Sequence, residues 1–155
     1  MTLYVVRHAH AGERSAWVGD DRLRPLSGRG ELQSQGLAAT LASCDPEQVL
    51  SSPARRCVQT VEPLADELGV PVVEDDRLFE GAGVGEIRSL LDQVANRDAV
   101  LCSHGDVIPV LLDLLVDAGL EPERNLVWQK ASVWVAERRD GGWGRGRYVP
   151  PPDRA

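Results

Sequence analysis

The feature that most constrains this chain is a set of short apolar runs separated by segments of helical periodicity. L-Y-V-V at 3–6, V-L-S-S at 49–52 and A-V-L-C-S at 99–103 are too short for helices. Short apolar runs of this kind read as strands buried on both faces, the mark of a mainly parallel sheet covered by helices. The segments between them supply the helices. Ser27 can cap a first one, with Leu32, Leu37, Leu41 and Cys44 facing the core. Cys57, Val61, Leu64 and Leu68 mark a second, which Pro63 is expected to kink or divide. Ile87, Leu90, Leu91 and Val94 mark a third, and residues 107–116 a fourth, with Pro109 in its first turn.

Residues 71–73 read as a further strand, and 132–137 and 146–149 as two late strands around the turn-like D-G-G at 140–142. Strands alternating with helices predict an α/β fold, a three-layer α/β/α domain around a mainly parallel central sheet. The reading spans residues 1–149 as one domain, with P-P-P-D-R-A at 150–155 as a disordered tail.

Charge narrows the partners. The chain carries 17 Lys plus Arg against 24 Asp plus Glu, a net charge of −7, which disfavours a nucleic-acid backbone as ligand. All but one of the basic residues are arginine, Lys130 being the exception. Arginine's rigid fork of donors suits small phosphoryl groups. Three cysteines without C-x-x-C spacing, no signal-like segment and no membrane-length apolar run lead to an expected cytoplasmic protein with reduced thiols and no membrane contact.

The chemistry-bearing residues follow the strands. L-Y-V-V ends in Arg7 and His8, V-L-S-S runs into Pro53, Ala54 and Arg55, and V-L-C-S ends in His104 and Gly105. Ligands of open α/β sheets bind at that carboxyl edge, so three distant segments are expected to meet there, with Glu80 reaching in from the side. Two guanidiniums and two imidazoles fit a dianionic phosphoryl ligand, with a neutral imidazole as nucleophile and a carboxylic acid as proton donor. Two other readings compete. His8 and His10 form an H-x-H pair that could bind zinc with His104 and Asp106, which leaves the arginines unexplained. A non-catalytic phosphate-binding module would need only the clamp.

R-H at 7–8, S-S-P-A-R-R-C-V-Q-T at 51–60, L-F-E at 78–80 and S-H-G at 103–105 resemble the histidine phosphatase superfamily, which includes phosphoglycerate mutases. R-H-A and D-D-R-L-R-P-L-S-G-R-G at 20–30 are closer to the SixA-type phosphohistidine phosphatases, and also resemble the phosphatase domain of some actinobacterial Nudix hydrolases. The resemblance implies a phosphoglycerate mutase-like fold and a phosphatase that uses no metal or other cofactor. It makes His8 the nucleophile, Arg7, Arg55 and His104 the phosphoryl ligands, Glu80 the proton donor and Arg24 a further phosphate ligand. It selects Arg55 over its neighbour Arg56, which is expected as an exposed helix charge. The implied partner is a phosphorylated substrate. A SixA-like protein phosphohistidine comes first and a small-molecule or nucleotide phosphomonoester second. His10 is expected to line the entrance and Trp17 to pack on the surface.

Overall fold

The computed structural model describes residues 1–152, and its elements follow the expected alternation. In chain order they are β1 (Thr2–Arg7), α1 (Gly28–Leu41), β2 (Gln48–Ser51), α2 (Arg55–Leu68), β3 (Val72–Glu74), α3 (Val84–Val94), β4 (Ala99–Ser103), α4 (Val107–Asp117), β5 (Glu121–Pro122), β6 (Val133–Arg139) and β7 (Gly142–Val149). One seven-stranded sheet runs β3-β2-β4-β1-β6-β7-β5. The strands β3, β2, β4 and β1 are mutually parallel, while β6 is antiparallel to both β1 and β7. The parallel half was legible as βα repeats. The rest is a mixed extension, with β5 pairing parallel to β7.

Side chains alternate across β1 and build two cores. Leu3 and Val5 join Ile87, Leu90, Leu111 and Leu115 on the α3–α4 side. Tyr4 and Val6 join Leu37, Leu41, Val61 and Leu64 on the α1–α2 side. Burying each such side chain contributes roughly 1.5–3 kcal/mol. Those contributions pin β1 and β4 in the middle of the molecule, so their carboxyl ends are a rigid platform.

Ser27 caps α1 as expected, its Oγ accepting from Gly30 N–H at 3.1 Å. Pro63 does not divide α2, which runs unbroken from Arg55 to Leu68. A proline there costs about 3 kcal/mol, and the buried face formed by Cys57, Val61, Leu64 and Ala65 offsets it. The strand β7 begins at Gly142, earlier than expected. Its G-W-G-R-G-R run lacks the β-branched residues that mark strands in sequence. Pro152 closes the described chain over α1, where a Cβ on Gly36 would sit 2.6 Å from its ring; the remainder of the expected tail lies outside the described residues. Among the described residues no helix is long and apolar enough to cross a membrane.

Candidate active site

The sheet ladder itself delivers the reactive groups. Past the end of β1, His8 N–H donates to Ser103 O at 3.0 Å, and past β2, Ser52 N–H donates to Cys102 O at 2.9 Å. These two bonds bring Arg7, His8, Ser52 and His104 to one carboxyl edge. Ser103 Oγ reaches Leu78 O at 2.5 Å, and Asp106 accepts from Gly81 N–H at 2.9 Å. Together they hold the segment that carries Glu80 against the same edge.

His8 is only 6% exposed. Its Nδ1 lies 2.8 Å from Ala9 O. A carbonyl only accepts, so Nδ1 carries the proton and the neutral ring keeps its lone pair on Nε2. Burial first, then the neighbouring His104, Arg56 and Arg7, lower the imidazole from its ordinary value to about 3. His8 is therefore neutral at physiological pH. The His104 ring stands 5.5 Å away, edge-on, and Phe79 also packs edge-on against His104, at 5.8 Å. Ser52 Oγ holds His104 Nε2 at 2.8 Å, while His104 Nδ1 is 3.4 Å from both Arg56 Nη2 and Glu80 Oε1.

The second guanidinium in this cluster belongs to Arg56. Arg55 is exposed at the first position of α2, and Arg56 beside it is 1% exposed. Arg56 donates to Asp21 O at 2.8 Å, pairs with the Asp21 carboxylate at 3.1 Å and forms a short ion pair with Glu80. The expectation for these two arginines is thus reversed. Helical phase explains why: at 3.6 residues per turn, Arg55 lies about 160° around α2 from Cys57, the start of the buried stripe. Arg56 lies on the flank of that stripe, one turn before buried Thr60. The periodicity that identified the helix contained this signal.

Arg7 is half-buried and donates to Trp128 O at 2.9 Å. Gly105 leaves it room, since a Cβ there would meet Arg7 Nη2 at 2.9 Å. The Nε–H groups of Arg7 and Arg56 are both buried without a hydrogen-bond partner among the described residues. An unmatched buried donor costs about 1–3 kcal/mol, more when charged.

Arg24 is engaged differently from the expected phosphate ligand. It is 7% exposed, with Nε on Asp21 Oδ1 at 2.9 Å and Nη1 on Ala11 O at 2.7 Å, so it braces the loop between β1 and α1. That loop brings two residues to which the sequence assigned no role, Asp21 and Arg14. Asp21 faces Arg14, Arg24 and Arg56. Burial alone would raise its carboxyl, but the Arg24 hydrogen bond and the three positive charges outweigh burial and hold it below the usual range. Arg14 binds both oxygens of Glu80 at 3.0–3.1 Å. Arg22 stacks over Phe79, its Cζ 4.8 Å from the ring centre.

His10 turns to α1, with Nδ1 2.7 Å from Ser27 Oγ. Among the described residues no three His, Cys, Asp or Glu side chains converge as a group able to hold a metal. Trp17 lies on the surface, 37% exposed, and donates to Asp20 O at 2.9 Å.

The chain is similar to proteins of known description. The 8-oxo-(d)GTP phosphatase of Mycolicibacterium smegmatis is 36% identical over 98% of this chain, and the chain spans about half (49%) of that relative's length. Among solved structures, the protein histidine phosphatase SixA complexed with tungstate superposes with a TM-score of 0.75 at 24% identity, covering 98% of this chain and 97% of that one. A mycobacterial glucosyl-3-phosphoglycerate phosphatase complexed with VO3 gives 0.74 at 18% identity, covering 96% of this chain and 97% of that one. These two likenesses concern the fold. Residues 3–89 match the family model of the histidine phosphatase superfamily, branch 1, and with that match the chain belongs to the superfamily.

Proposed function

We propose that the chain hydrolyses phosphate monoesters through a phosphohistidine on His8, with no metal or other cofactor. The observation that carries this reading is the fixed tautomer of His8. Its Nδ1–H is tied to Ala9 O, and its Nε2 lone pair is left for the phosphorus in the field of the Arg7 and Arg56 guanidiniums. In the first step Nε2 bonds to phosphorus as the ester P–O bond breaks, and protonated Glu80 gives its proton to the leaving oxygen. In the second, water attacks phospho-His8 while the Glu80 carboxylate takes a proton, releasing inorganic phosphate. Arg7, Arg56 and His104 hold the equatorial oxygens, and the two unpartnered Nε–H groups become donors to them. Asp21 and Glu80 occupy Arg56 in the free protein, so the arriving dianion exchanges with them.

Glu80 also bears on substrate class. An oxygen ester departs as a basic alkoxide and needs a proton from the site, whereas a phosphohistidine departs as an imidazole that solvent can protonate. The placement of Glu80 against His104 and Arg56 supports the ester. The likeness to the 8-oxo-(d)GTP phosphatase makes nucleotides the first ester class to assay. A protein phosphohistidine is the second reading, supported by the shared fold with SixA.

The test is Glu80→Gln assayed in single-turnover mode, with a chelator in all buffers. The expected result is a loss of about 10²–10⁴-fold on alkyl phosphates, with a much smaller loss on phosphohistidine or aryl phosphates. Equal losses on every substrate would remove the proton-donor role. Wild-type activity that needs added zinc or manganese would remove the metal-independent mechanism.

A further inference from the structure

Among the described residues three basic side chains meet the Glu80 carboxylate: Arg56 in a short ion pair, His104 through Nδ1 at 3.4 Å, and Arg14. When a phosphoryl group arrives, Arg56 and His104 pass to its oxygens. Arg14 has no place in that clamp. It starts a short turn, Arg14–Ala16, in the loop between β1 and α1, and its side chain is 62% exposed.

The way Arg14 holds Glu80 conflicts with proton donation. A single nitrogen, Nη2, lies 3.1 Å from Oε1 and 3.0 Å from Oε2, so it stands between the two carboxylate oxygens. An ionised carboxylate accepts on both oxygens, whereas a carboxylic acid carries a proton on one of them and donates it. In the favoured planar form of the acid that O–H lies on the side between the two oxygens, the side Nη2 fills. The leaving oxygen that receives the proton needs the same space. Arg14 therefore has to withdraw before Glu80 can act.

Asp21 offers a pivot, with Oδ2 3.5 Å from the same nitrogen, so Arg14 keeps one carboxylate while it releases the other. The distance to the reacting centre is short. Glu80 Oε1 touches His104 Nδ1 at 3.4 Å, and the His104 ring stands 5.5 Å from that of His8. A group bonded through the leaving oxygen lies on the Glu80 side of the phosphorus, next to the released guanidinium. Arg22 over Phe79 closes the rim there.

We infer that Arg14 is a specificity-determining residue for the leaving group. It blocks Glu80 in the free protein and is drawn off by substrates whose leaving group carries a hydrogen-bond acceptor, such as a hydroxyl oxygen, close to the ester oxygen. The inference rests on the reading of Glu80 as proton donor. It adds to that reading the class of alcohol released, an oxygen-bearing one in preference to a plain alkyl one.

The test compares ethyl phosphate with 2-hydroxyethyl phosphate, which differ by one acceptor, in wild type, Arg14→Gln and Arg14→Ala. Wild type is expected to favour 2-hydroxyethyl phosphate in kcat/KM by about tenfold or more, the scale of one charge-assisted hydrogen bond. Both variants are expected to lose that preference. On ethyl phosphate they are expected to gain, by up to about fivefold, because an exposed ion pair no longer has to be broken. A preference that wild type lacks, or that survives both substitutions, overturns the role of Arg14. Equal losses on the two esters also overturn it, since they would make Arg14 a brace for the Glu80 segment. Glu80→Gln, assayed on the same pair, separates the two claims. If it loses rate while the Arg14 variants keep the preference, only the role of Arg14 fails. If it matches wild type while the Arg14 variants lose the preference, Arg14 selects the leaving group and Glu80 is not the proton donor.

Discussion

A one-residue difference separates a solvated charge from a buried one at the start of α2. Arg55 and Arg56 are chemically identical and adjacent, so motif spacing alone does not choose between them; the phase of the helix does. Arg56→Ala is expected to lower kcat/KM for phosphate esters by about 10- to 150-fold, the worth of a charge-assisted hydrogen bond acting on the transition state. Arg55→Ala removes an exposed side chain and is expected to stay near wild type in activity and within about 0.5 kcal/mol in stability. Steady-state kinetics and chemical denaturation of the two variants check this, and a larger activity loss in Arg55→Ala would return the clamp to the exposed residue. Arg24 teaches a related lesson, because an arginine in a phosphatase-like motif was readable but its partners were not. Asp21 and the Ala11 carbonyl claim it through loop geometry that no spacing encodes.

The buried state of His8 has a consequence for stability against pH. Its folded value of about 3 lies below the ordinary 6.5 of an exposed imidazole. Between those two values the unfolded chain holds a proton on His8 that the folded chain lacks. Stability from this group therefore falls as pH drops through that window, with a slope of about 1.4 kcal/mol per pH unit, and the loss is complete below about pH 3. His8→Gln removes the titration. Urea unfolding between pH 6 and pH 4 is expected to show a flatter stability profile for the variant, by about one proton; identical slopes would mean that His8 is not buried as a neutral ring.

At the scale of elements, the helices act as braces for the loops that carry the chemistry. Thr60 on α2 donates to Arg56 O at 2.6 Å and accepts from Ala9 N–H at 2.9 Å, tying the clamp helix to the nucleophile loop. Gln59 on the same helix accepts from Leu26 N–H, and Gln33 on α1 accepts from His10 N–H, both at 2.8 Å. This is the physical content of the Q-T that ends the 51–60 segment. Its serines serve the sheet end, since Ser52 holds His104. The most constrained contact is at Gly30, where a Cβ would sit 1.9 Å from His10 O. That approach lets Ser27 N–H and Ser27 Oγ both donate to the same carbonyl, at 3.0 and 3.1 Å. Gly30→Ala must push α1 or residues 8–10 aside, because backbone cannot yield as a side-chain tip does. Thermal unfolding is expected to show a loss of roughly 1–3 kcal/mol, the range for an overpacked site, accompanied by reduced activity. A variant as stable and active as wild type would show that α1 does not bear on the nucleophile loop.

Over the whole molecule, the parts that repeat were the parts that could be read. Three buried strands with helices between them announce a parallel α/β sheet, and the rule that ligands gather at its carboxyl edge brought Arg7, His8, Arg55 and His104 together, with Glu80 reaching in from the side; at the start of α2 the structure turns Arg56 inward in place of Arg55. What stayed hidden depends on non-local geometry. The strand β6 adds antiparallel to β1 across a separation of more than a hundred residues in sequence. The loop between β1 and α1 folds Asp21 and Arg14 onto residues from α2 and from beyond β3. Neither event leaves a periodic trace in the sequence.

The central claim is a covalent phosphoryl group on His8, and it is tested most directly by trapping it. A phosphate ester is mixed with the protein, turnover is stopped with alkali within the first cycle, and the phosphorylated residue is located by peptide mass spectrometry. The account predicts one phosphoryl group per chain, stable to alkali, lost in acid, carried by His8 and absent from His8→Ala, which would also lose roughly 10⁵-fold or more in rate. Turnover that proceeds with His8 unmodified, or with the phosphoryl group on another side chain, would contradict it.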